Sequence, residues 1–118
     1  MRTLNIFLGL MMLGFIGVQY NDDDGLLWAC YYAVPAVLAF TVAFKSGFAR
    51  SGLGSRLLWA SVAVWFGLMV YYWPDMPNFW QPVVFHAHET AREGMGMMIA
   101  WVVVLVAAMS ARATRPKA

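Results

Sequence analysis

Four stretches of this chain contain no aspartate, glutamate, lysine, arginine or histidine: Leu4 to Val18, Leu26 to Phe44, Leu57 to Trp73 and Met95 to Met109. A helix rises about 1.5 Å per residue and the hydrocarbon core of a bilayer is about 30 Å thick, so each stretch carries a helix across most or all of that layer. Of 118 residues 62% are hydrophobic and only 12% charged, far more apolar surface than a soluble domain of this length can bury. The expectation is an all-α integral membrane protein, a four-transmembrane-helix up-down bundle with an interfacial loop between the third and fourth helices. It forms a single membrane domain over 1–118, with spans at about 4–20, 26–44, 57–73 and 89–110.

Arg2 followed by an apolar run is also how a secretory signal begins, but no small-x-small cleavage pattern follows, and the first stretch is expected to stay as a helix. Small residues suggest where helices approach: Gly9, Gly14 and Gly17 in the first stretch, Ala29, Ala33, Ala36, Ala39 and Ala43 in the second, Ala60, Ala63 and Gly67 in the third. Pro35 has no amide hydrogen, so a kink is expected in the second helix and the carbonyl of Tyr31 loses its main-chain donor. Cys30 is the only cysteine; it forms no internal disulfide and is expected to fill space in the core. Lys45 to Arg56, glycine-rich and basic, reads as a flexible loop. Pro74, Pro77 and Pro82 exclude a continuous helix over 74–87, while Phe79, Trp80, Val83, Val84 and Phe85 are too apolar for a segment immersed in water; that connection reads as an interfacial lid.

Seven of the eight lysines and arginines lie in Arg2, the Lys45 to Arg56 segment and the Arg112 to Lys117 tail. Four crossings put all three on one side, which the positive-inside rule makes cytoplasmic together with both termini. Loops 21–25 and 74–88, with all four aspartates and both histidines, then fall on the outer side.

Two polar segments face that outer side. In the first, Gln19-Tyr20-Asn21-Asp22-Asp23-Asp24-Gly25, a calcium-loop register with Gly25 at the sixth position puts Tyr20 and Tyr31 where the first and last carboxylates belong, so that reading fails. The aspartates suit the amide end of the second helix as caps. In the second, His86-x-His88-Glu89-x-x-Arg92-Glu93, a metalloprotease helix would need histidine where Arg92 stands. On one continuous helix His86, Glu89 and Glu93 would share a face, and with His88 and Asp22 or Asp24 they form a candidate divalent-metal site, the one cofactor the sequence suggests. A guanidinium near a membrane boundary needs acceptors around it, so Arg92 is expected to be clamped by the first loop in a cluster of Asn21, Asp22, Asp24, Glu89, Arg92 and Glu93.

Gln19-Tyr20-Asn21-Asp22 with a tryptophan shortly after, and Glu89-x-x-Arg92-Glu93-Gly94 opening the last span, resemble the transmembrane protein 220 family of small four-helix membrane proteins. The order of spans agrees over most of the chain; Asp23 stands where the family carries a proline. The resemblance implies the four-helix fold and assigns no activity.

Three function classes follow. An accessory or structural subunit, with the lipid bilayer and a membrane-protein partner or a second copy as its contacts, suits the small-residue surfaces and nine methionines. A binder of a divalent metal or polar ligand at the outer face is the alternative. An enzyme is disfavoured because no nucleophile with an adjacent base can be assigned. The uncharged spans argue against a channel, and nothing resembles a basic, aromatic nucleic-acid surface.

Overall fold

The computed structural model describes residues 2–19 and 24–113, and the regular elements among these are all helices. The elements are α1 (Arg2–Gly17), α2 (Gly25–Phe44), α3 (Ser46–Arg50), α4 (Gly52–Tyr71), α5 (Pro82–Ala87) and α6 (Glu89–Ala113). Three of them, α2, α4 and α6, are long and apolar enough to cross a membrane; α1, with 16 residues, is an apolar helix just below that length.

α6 is the central element. Its small residues Ala91, Gly94, Gly96, Ala100, Ala107, Ala108 and Ala111 are all buried, so neighbouring backbones come close along its whole length. α2 lies against it and against α1 through Trp28, Tyr32, Ala36 and Ala39, which with Met12, Met97, Ala100 and Val103 form the larger core cluster. A second cluster, Val42, Ala49, Leu58, Ala107, Ala108 and Ala111, closes the other end. At Gly9 a side chain would meet the Phe40 ring at 2.8 Å, so α1 and α2 pack closely there; at Gly14 and Gly17 nothing approaches, and the expected stripe reduces to one position.

Polar atoms inside these apolar surroundings are tied across helices. Asn5 Nδ2 donates to Ser110 Oγ at 3.0 Å, joining the beginning of α1 to the end of α6 with both residues buried. Ser110→Ala removes that acceptor and is expected to lower stability by about 1 kcal/mol, read as thermal unfolding in detergent, with no loss in the conservative Ser110→Thr. Pro35 sits within an unbroken α2, and the Tyr31 carbonyl that it deprives of a donor accepts instead from the indole Nε1 of Trp65 in α4, at 3.1 Å. The second indole bond between helices, Trp101 Nε1 to the carbonyl of Val62 at 3.2 Å, links α6 to α4.

Three expectations are corrected. Lys45 to Arg56 is mostly helix: α3 forms at once, and Ser51, extended, caps α4 by accepting from the amide of Gly54 at 3.1 Å, so α4 starts at Gly52. Cys30 is exposed, because the buried side of α2 passes through Trp28, Tyr32, Pro35, Ala36 and Ala39 and leaves position 30 on the other face. In α4 the side that carries Ala60, Ala63 and Gly67 also points away from the other helices; Leu58, Val62, Trp65, Leu68 and Met69 make its contacts.

Candidate functional site

The beginning of α2 and the beginning of α6 come together at one end of the molecule, and the chain before each is polar. Asp24 precedes the first residue of α2, while Glu89 and Glu93 are four residues apart on one face of α6. Carboxylate oxygens of Asp24, Glu89 and Glu93 lie within 4.8 Å of one another. Of the acids that the sequence groups, the structure brings these three together. Asp24 occupies the cap position of α2 but makes no capping hydrogen bond with its side chain. Its capping role is thus corrected: the carboxylate lines the cavity described below. Asn21 and Asp22 lie outside the described residues.

Of the first-loop clamp expected on Arg92, Asn21 and Asp22 lie outside the described residues, and what the structure describes is a contact with α5. The Arg92 guanidinium donates to the carbonyls of His86 at 2.8 Å and Phe85 at 3.2 Å, and among the described residues these are its acceptors. Both carbonyls belong to the last turn of α5, where helix carbonyls have no intrahelical donor and a cation is favoured by the helix dipole. Arg92 therefore fastens α5 onto the opening turn of α6. Arg92→Met is expected to speed hydrogen exchange in residues 82–88 while leaving exchange in α2 and the middle of α6 unchanged. A general loss of protection would mean that Arg92 holds the whole helix assembly instead.

The histidine part of the metal reading is also corrected. A single helix through His86, Glu89 and Glu93 does not form, since His88 is extended (φ −120°, ψ 118°) and separates α5 from α6. Among the described residues the carboxylates that converge are Asp24, Glu89 and Glu93, without His86 or His88; the His86 ring stands edge-on to Phe85, and both histidines are exposed.

Behind the carboxylates is a half-open cavity of about 580 Å³. α1 contributes Phe15 and, just beyond its end, Val18 and Gln19; α2 contributes Trp28 and Tyr32; α5 contributes Phe85; and α6 contributes Met95, Gly96 and Ile99 as well as its charged opening turns. Trp28 and Tyr32 are nearly enclosed, at 2% and 4% exposure. They are held by their rings: Phe15 stands edge-on to Tyr32 at 5.3 Å, and Trp28 packs on Tyr31 at 5.1 Å and on Tyr72 at 4.8 Å. The Tyr31 and Tyr72 hydroxyls share a hydrogen bond of 3.2 Å, which fixes the end of α4 beside the same aromatic group.

Sequence reasoning found the acids and missed this wall. Trp28 and Tyr32 are spaced by four on one helix, a visible signal, but Phe15, Phe85 and Ile99 look like any other lipid-facing residue until the helices are brought together.

The family model described as Transmembrane family 220, helix, matches residues 11–109, which include both polar segments and all of α2 and α4. No curated protein matches, and no solved structure does. By a match that covers most of the chain, and in keeping with its long apolar helices, the protein belongs to transmembrane family 220.

Proposed function

We propose that this protein crosses the membrane four times and binds a polar or amphiphilic ligand in the cavity at its outer rim. The observation that carries the reading is the cavity itself: about 580 Å³, with aromatic walls and a charged mouth built from both ends of the sequence. Ligand sites are typically concave, mostly apolar and furnished with a few convergent polar groups, at volumes of about 300–1,000 Å³.

Four crossings are supported by how the helices pair. Gly9 meets Phe40 and Phe15 meets Tyr32; Asn5 meets Ser110 while Phe15 and Ile99 line one cavity; Val62 meets Trp101 while Leu58 lies beside Ala108, so within each of these three helix pairs one residue number rises as the other falls. The basic residues Arg2, Lys45, Arg50, Arg56 and Arg112 belong to the end away from the cavity, which makes that end cytoplasmic under the positive-inside rule. In a Cys30→Ser background, an impermeant maleimide added outside cells is expected to label a cysteine at Asp75 and to spare cysteines at Thr3 and Ser51. Labelling at Thr3 would mean that α1 does not cross.

The ligand reading is tested by native mass spectrometry of protein extracted in mild detergent. Wild type is expected to carry a bound small molecule, and Ile99→Trp, which fills the cavity from α6, to lose it. Protein without an adduct, identical in both forms, would overturn the reading. A divalent metal held by the Asp24, Glu89 and Glu93 oxygens, a donor set for a hard cation, would appear in metal analysis of the same sample.

A second reading, an accessory subunit, is favoured by α4. Trp59, Val64, Phe66 and Val70 are exposed on it beside the flush Ala60, Ala63 and Gly67, a surface suited to another membrane helix. The two roles are compatible, because the cavity lies on the side formed by α1, α2, α5 and α6.

A further inference from the structure

The chemistry of the cavity narrows the ligand, given the reading of that cavity as a binding site. Its lining holds three carboxylates, Asp24, Glu89 and Glu93, and one guanidinium, Arg92, which is engaged with the carbonyls of α5. The charge at the mouth therefore favours a cation. The adjoining walls are aromatic, and an ammonium group is attracted to aromatic faces as well as to carboxylates.

A bare metal ion satisfies only the acidic corner. Trp28 and Tyr32 are both more than nine-tenths buried and both line the cavity, and among the described residues neither the indole N–H nor the phenol O–H has a hydrogen-bond partner. Neither donor atom is sealed within the protein, so both open into the cavity and can meet an acceptor on a ligand. An indole N–H only donates, so its complement is an oxygen acceptor and never a cation. The Tyr32 hydroxyl lies beside Gly96, where a Cβ would collide with it, so that the α6 backbone gives the hydroxyl room within the cavity lining.

We propose that the cavity binds an amino-alcohol amphiphile: an ammonium group among Asp24, Glu89 and Glu93, a neighbouring oxygen accepting from Trp28 and Tyr32, and an apolar chain leaving past Phe15 and Ile99. Two sources share this chemistry, the ethanolamine headgroup of a membrane phospholipid and a free long-chain amino alcohol.

The test is equilibrium binding to the full chain in detergent with three probes of matched chain length. Lysophosphatidylethanolamine carries ammonium and phosphate, an N-alkylethanolamine carries ammonium and hydroxyl without phosphate, and lysophosphatidylglycerol carries phosphate without ammonium. At least one amine probe is expected to bind about tenfold or more tightly than lysophosphatidylglycerol, since one charge-assisted contact is worth about that factor. Preference for lysophosphatidylethanolamine identifies the lipid headgroup as the source, and preference for the alkylethanolamine identifies the free amine. Glu89→Gln, at an exposed position that does not endanger folding, is expected to weaken the amine probe about tenfold and not to weaken lysophosphatidylglycerol. Tyr32→Phe is expected to weaken the amine probe several-fold without lowering the unfolding temperature.

Equal binding of lysophosphatidylglycerol, or an amine affinity untouched by Glu89→Gln, overturns the amino-alcohol proposal while the cavity remains a ligand site. If no probe binds and the extracted protein carries no adduct, both readings fall.

Discussion

Gly96→Ala is expected to destabilise the protein by about 1–3 kcal/mol, a large effect for the addition of one methyl group. The new Cβ would overlap the Tyr32 hydroxyl. Tyr32 is held on two sides, with Phe15 edge-on at 5.3 Å and Trp28 tilted against it at 5.8 Å, so its ring cannot swing without disturbing both. Relief comes either from moving α6 away from α2, which opens the core along Met97 and Ala100, or from pushing the Tyr32 ring into the cavity against Phe15 and Trp28. The pairing has a specific signature. Because the colliding atom is the hydroxyl oxygen and the next ring atom is 3.2 Å from where the methyl would lie, Tyr32→Phe in the Gly96→Ala background is expected to recover most of the loss. Unfolding of the two single variants and the double variant in detergent measures this. An additive double variant would show that the hydroxyl is not the obstacle.

The second large effect concerns the proline in α2. In a helix the amide at position 35 would serve the Tyr31 carbonyl, and proline has none. Away from water an unserved carbonyl costs about 1–3 kcal/mol, and the Trp65 indole supplies the donor at 3.1 Å. Trp65→Phe is therefore expected to cost about 2–4 kcal/mol, part of it from lost packing and part from the carbonyl. The two parts separate in a cycle with Pro35→Ala. Alanine at 35 restores a main-chain donor to Tyr31, so Trp65→Phe should cost about 1 kcal/mol less there than in the proline chain. Equal costs in the two backgrounds would leave the indole with a packing role alone.

These two cases show what could be read from the chain and what could not. Pro35 announced a carbonyl without its donor, but the donor is thirty-four residues from that carbonyl in another helix, and nothing local marks Trp65 out from the other tryptophans. The positions of α2, α4 and α6 were legible because long uncharged runs allow few other structures. α3 was not, since Ser46 to Arg50 is only five residues long and its glycine-rich surroundings hide a short helix held by α4 and α6. At the site, charge was informative: Asp24, Glu89 and Glu93 do meet. For Arg92 the sequence pointed to carboxylates and did not announce the main-chain carbonyls that it meets. Proline-rich sequence before it ends in a short helix, and that helix's last carbonyls become its acceptors because of where α5 stops. His86 and His88 misled for a related reason: the helical spacing that would align them with the glutamates is interrupted at His88 itself.

The Tyr31 and Tyr72 contact and the aromatic packing on Trp28 connect this end of α4 to the cavity wall. A partner helix seated on the exposed face of α4 would thus rest against the element that borders Trp28, and ligand and partner would meet through one set of rings.

Ligand and metal binding alike require the start of α2 and the start of α6 to enclose one cavity mouth, and cross-linking tests that most directly. In a Cys30→Ser background, cysteines at Asp24 and Glu89 are expected to be joined efficiently by a short bismaleimide in native membranes, and cysteines at Asp24 and Arg56 to remain unjoined. Failure of the first pair to cross-link, with both thiols still open to labelling, would contradict the arrangement and the cavity with it.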